Sequence, residues 1–238
     1  MLSENQRQIQ SLIETKLMGD DREALLFHVS VERKLKSVKL WLENVQTILP
    51  DFVPSTGTYS TGRNETEPQG LTVIESTVVK ISAYIDAFFM SGKSTLDAFA
   101  HEIRSLYGLG GHVGNLYFED IFRLITIHHS DTELNLYIGT TDIRNLTWYK
   151  DLKSYRRASA HESIIPIKPS SDFDFMSEEW KNPILKLPLD PTQQTLNYNG
   201  KNFIDAGKEI SEKLQKFVIE SYDKIMLDIR NNKTRIIN

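Results

Sequence analysis

No cysteine occurs among the 238 residues, which removes disulfides, thiolate metal ligands and cysteine nucleophiles from consideration. Also missing is any apolar run approaching the roughly 20 residues that a membrane-spanning helix needs. The opening stretch MLSENQRQIQSLIETKLMG is polar and amphipathic and lacks the apolar core of a signal peptide. These absences lead to the expectation of a soluble, cytoplasmic protein with no membrane partner. Proline is scarce and confined to two windows, Pro50 to Pro68 and Pro166 to Pro191. Since proline disrupts helix interiors, those windows are the major interruptions of the chain. The net charge of −4 argues against a protein that coats nucleic acid along its whole surface, but leaves a local basic site open.

What remains is helical in its periodicity. Val31, Leu35, Val38, Leu42, Val45 and Leu49 follow one another in steps of four and three, which places them on one helix face. Leu71, Ile74, Val78, Ile81, Ile85 and Phe88 do the same, and Ile210, Leu214, Phe217, Ile225 and Ile229 mark a third long helix. Shorter helices are expected over 3–18, 94–107, 115–129 and 133–153. The fold class that follows is all-α, a multi-helix bundle forming one domain over 1–238. Residues 50–70 read as a mobile loop. Residues 164–199 read as an ordered excursion with extended pieces or a short hairpin, carrying Ile164, Ile165, Ile167, Phe173, Phe175, Trp180, Ile184 and Leu185 before the last helix.

Several motifs suggest chemistry that their contexts do not support. SGKST, Ser91 to Thr95, lacks the glycine that a phosphate loop needs at position 87, where Ala87 stands inside a helix. A helix break at Ser91-Gly92, with Ser94 capping the next helix and Asp97 three residues on, is the expectation there. YGLGGHVGN lacks the third glycine of a dinucleotide fingerprint, since Val113 occupies it, and reads as a helix C-terminus at Gly108. Asp97 and His101 share a helix face, but too few ligands converge for a metal site, so neither metal nor cofactor is expected. His128 and His129 read as a helix end, and His28 as a packed, hydrogen-bonded histidine on the Val31 stripe.

YRRASAHE, Tyr155 to Glu162, is the richest stretch. Between 144 and 168, six basic side chains face two acidic ones, a local charge of about +4, while the rest of the chain carries about −8. On a helix, Arg157 and His161 are one turn apart with Arg156 beside them. A guanidinium grips two phosphate oxygens and an imidazole moves a proton near neutral pH, so the group could bind and cut a phosphodiester without metal. The structural alternative is equally direct. Arginines near a helix C-terminus favour its dipole, and His161 would then hydrogen-bond the following turn.

At these residues the chain resembles the HEPN (higher eukaryotes and prokaryotes nucleotide-binding) superfamily, whose signature is an arginine, four to six residues, then a histidine in an all-helical bundle. Arg156 and His161 match it in RRASAH. DAFAHEIRSLY (Asp97 to Tyr107), the LPLDP segment and the long final helix are similar to uncharacterised bacterial members, and the resemblance runs from about Leu71 onward. It implies a metal-independent endoribonuclease at a homodimer interface, with His161 as acid/base and Arg156 gripping the phosphate. Arg157, Lys153 and Lys150 would add phosphate contacts. RNA, a second copy and an antitoxin-like protein are the implied partners. One departure stands out, because active members usually carry a polar residue, often asparagine, directly after the arginine, and here it is Arg157. The second reading is therefore a non-catalytic binding or structural module of the same fold.

Overall fold

The computed structural model describes residues 4–16, 22–50, 69–110, 117–161, 168–174, 179–189, 191 and 200–235. Among the described residues the protein is all-α apart from one hairpin. Its helices are α1 (Glu4–Lys16), α2 (Arg22–Ile48), α3 (Gln69–Tyr107), α4 (Phe118–His128), α5 (Glu133–Thr141), α6 (Thr147–His161) and α7 (Phe203–Arg230), with a 3-10 turn at Ile143–Asn145. Among the described residues no helix is long and apolar enough to cross a membrane. The chain divides into two compact units, and the divisions fall inside α2, α3, α6 and α7.

One unit comprises Met1–Ser37, Ser91–Leu152 and Ile210–Asn238. Its core contains Val31, Leu96, Phe99, Ile103, Phe118, Ile125, Leu134, Leu214 and Tyr222. The Phe99 ring meets Tyr222 edge-on at 5.2 Å, and Phe118 meets Phe217 in the same way at 5.7 Å. Such edge-to-face pairs add to the burial of their area. α3 ends at Gly108, whose φ of +65° is the left-handed conformation glycine adopts without strain. There the Leu109 N–H donates back to the Arg104 carbonyl at 3.0 Å, closing the helix end as expected.

The other unit comprises Val38–Met90 and Lys153–Glu209. Val38, Leu42, Ile81, Ile85, Phe88, Phe89, Tyr155, Leu185 and Phe203 are buried in it. Its hairpin pairs β1 (Lys168–Asp174) antiparallel to β2 (Glu179–Lys186), from Lys168 opposite Lys186 to Asp174 opposite Glu179. Between Ser170 and Asp172 the register slips by one residue, and the extra residue on β2 falls at Asn182-Pro183. A bulge accommodates Pro183, which has no N–H to give a ladder. The Tyr155 hydroxyl donates to the Pro188 carbonyl at 2.6 Å, tying α6 to the segment after β2.

The periodic stripes are buried as expected at Val31, Val38, Leu42, Ile81, Ile85, Leu214 and Phe217, while Leu35 is half-buried. The side chains of Ile74 and Val78, nearly all of the 50–70 loop, and residues 162–167 and 192–199 lie outside the described residues. Two expectations are corrected. No break occurs at Ser91-Gly92, because α3 runs unbroken through both, and Ser94 caps nothing. The space above Gly92 is taken by Leu152, whose Cδ1 would lie 2.7 Å from an added Cβ, so the glycine answers to helix packing rather than to chain reversal. The 133–153 helix is in fact two. Asp142, at φ 42°, ends α5 in the left-handed region and the 3-10 turn follows before α6 starts.

Candidate functional site on helix α6

α6 buries Trp148, Tyr149, Leu152, Tyr155 and Ala158, an apolar face at helical spacing. Lys150, Lys153 and Arg157 are exposed on the far side. They follow one another by three and four residues, and His161 is four residues further on, closing the helix. At about 100° per residue, Arg157 and His161 are separated by about 40° around the axis, and Arg156 and His161 by about 140°. Helical register therefore aligns Lys150, Lys153, Arg157 and His161 along one stripe. Arg156 is half-buried and set toward the apolar face. The side chain of His161 lies outside the described residues. Chemically, the stripe is a row of cations leading to an imidazole-bearing position at a helix C-terminus, where positive charge suits the macrodipole.

A buried polar cluster lies in the first unit. His28 Nδ1 is 2.7 Å from Glu102 Oε1, and the Tyr222 hydroxyl donates to Glu102 Oε2. Burial pulls the His28 pKa down, but the hydrogen bond and charge of Glu102, with Glu32 and Glu14 behind it, outweigh burial and raise it. Burial, then the Glu102 charge, push the Tyr222 hydroxyl well above its usual value. The expected packed histidine is thus present, but its partner Glu102 carried no signal in the sequence. A second missed residue is Asp228 on α7, fully buried. It accepts the Glu133 and Leu134 N–H groups at 2.8 and 3.1 Å and the Tyr107 hydroxyl at 2.7 Å. It caps α5 from the far end of the chain.

Asp97, weighed as a metal ligand, instead meets the buried Lys93 ammonium at 2.6 Å and accepts the Phe118 N–H at 3.3 Å. Glu119 is 3.5 Å from the same ammonium. His101 stacks on Phe27 with ring centroids 4.8 Å apart, and burial, then Arg104, lower its pKa. Among the described residues no group of three or more histidines and carboxylates gathers as metal ligands. Compared with known proteins, this chain matches no family, no curated protein and no solved structure.

Proposed function

We propose that the protein acts on RNA through the exposed stripe of α6, as a HEPN-like, metal-independent endoribonuclease. The observation that carries this reading is the alignment of exposed Lys150, Lys153 and Arg157 with His161 on an otherwise acidic chain. In the reaction, the 2′-hydroxyl oxygen of a flexible RNA segment attacks the adjacent phosphorus while the bond to the 5′ oxygen breaks. His161 takes the proton from the 2′-hydroxyl, and the leaving 5′ oxygen takes up a proton from the imidazolium so formed or from water. Arg157 neutralises the phosphate beside it, Arg156 reaches the same phosphate from the flank, and Lys153 and Lys150 hold the neighbouring backbone. Single-stranded stretches suit in-line attack because their sugars and phosphates are unconstrained. In keeping with the resemblance, a second copy would complete the site, and an antitoxin-like protein would be its natural restraint.

The same register also favours a second reading. Arg156 lies well out of line with His161, and Arg157 replaces the polar residue that active relatives of this kind usually carry, so α6 would bind RNA without cutting it. An RNA-cleavage assay with purified protein in EDTA separates the two. Cleavage should proceed, and His161→Ala should slow it by about 10²–10⁴-fold without altering the fold. No cleavage by the wild type, or equal cleavage by His161→Ala, overturns the catalytic reading. Salt-sensitive RNA binding that is lost in Arg157→Ala then identifies the binding module.

A further inference from the structure

Away from α6, a groove of about 260 Å³ opens between α4 and the end of α5 with the 3-10 turn that follows. Its apolar floor includes Phe122 and Ile138, both buried, and its rim carries Ile127, which is 64% exposed. One turn before Gly139 on α5, Leu136 is 61% exposed. Arg123 and Arg144 line the same groove, and neither makes an ion pair among the described residues. The Arg144 guanidinium sits 5.6 Å from the Phe122 ring centroid, held over its face. Asp142 is the acidic residue of the lining, and its carboxylate already accepts from the Asn145 side chain.

Gly139 supplies an independent observation. It stands inside α5 and lines the groove, yet a Cβ built on it meets nothing within 4 Å. Internal packing therefore does not call for glycine, although glycine weakens a helix relative to alanine. Gly139 is exposed, and the space beside it is open.

We infer that this groove is a docking site for an acidic peptide segment of a partner protein, one that seats an aliphatic side chain between two carboxylates. Guanidinium forks pair bidentately with carboxylates, and both are unoccupied by acidic partners of the chain's own described residues. Aliphatic rim and floor suit a leucine- or isoleucine-like anchor. The volume is below the roughly 300–1,000 Å³ of small-molecule pockets, a size for one or two side chains rather than a whole ligand. Single-stranded nucleic acid fits less well, because its bases stack on open aromatic faces, and the Phe122 ring of the lining is buried beneath Arg144. This inference stands apart from the α6 reading, since it uses none of that helix's residues.

The test is fluorescence anisotropy on the full chain with three labelled probes: a short peptide with leucines flanked by glutamates, the same peptide with glutamine for each glutamate, and an oligouridylate. The glutamate peptide should bind saturably and the glutamine peptide about tenfold more weakly or worse. Arg123→Glu and Arg144→Glu should each weaken the glutamate peptide by about tenfold or more. Gly139→Leu should abolish its binding while circular dichroism stays unchanged, and the two arginine variants carry the test should that variant not fold. Equal binding of the two peptides, or indifference to all three substitutions, overturns the inference. So does oligouridylate binding that Gly139→Leu removes, or self-association of the chain that Gly139→Leu removes.

Discussion

Glu102→Ala should be among the most destabilising single substitutions in this protein. The carboxylate is 0% exposed and serves two donors at once, His28 Nδ1 at 2.7 Å and the Tyr222 hydroxyl. Removing it strands a fully buried phenol, which costs about 1–3 kcal/mol for the lost partner. It also strands an imidazole whose proton was held by the carboxylate, and breaking one side of a buried pair costs about 3–5 kcal/mol in general. Because His28 can shed its proton once the carboxylate is gone, the whole loss should be nearer 4 kcal/mol than the sum, by the same comparison. Against about 5–15 kcal/mol of total stability that is a large fraction.

Urea unfolding followed by tryptophan fluorescence should show the midpoint falling by about 1–4 M at unchanged slope. Glu102→Gln keeps an acceptor of the same shape and should lose only about 1–2 kcal/mol. The pH dependence gives a second readout. The folded pKa of His28 is raised above 6.5, so its stabilisation is fully present below that value and fades as pH rises through the folded pKa. In Glu102→Ala that contribution should vanish. The reasoning is refuted if Glu102→Ala costs less than about 1 kcal/mol, or if the alanine and glutamine variants unfold alike.

His101 should act with the opposite sign. Its pKa is lowered, so the unfolded chain binds more protons below pH 6.5, and stability is lost as pH falls from there toward the folded value. His101→Phe, which keeps a ring against Phe27, should remove that acid sensitivity in thermal melts between pH 7 and 5, and an unchanged acid slope would count against it. Asp228→Asn replaces one accepting oxygen with an amide donor facing the start of α5 and should cost about 2–4 kcal/mol, from charge-assisted bonds and the helix dipole. Amide hydrogen exchange at Glu133 and Leu134 should accelerate in that variant, and unchanged protection there would show that Asp228 is not the cap.

What the sequence determined by itself is what contiguous residues encode. Steps of three and four from Val31 to Leu49 make a helix face wherever the helix packs, and proline at 166–191 excludes a helix where the hairpin forms. Gly108 ends α3 because a left-handed residue is needed there, and His129 follows the last turn of α4 as the histidine pair suggested. On α6, spacing alone is enough to align Arg157 with His161. Tertiary structure decided whatever depends on residues far apart in the chain. Ser91-Gly92 looked like a break because glycine ends many helices; only Leu152, brought down onto Gly92, makes it a packing residue inside α3. Asp97 looked like a cap or a ligand until Lys93 and the Phe118 N–H claimed it. Glu102 and Asp228 carried no local signal, since a charge can be buried only where its partners converge. Those partners lie 74 to 121 residues away along the chain.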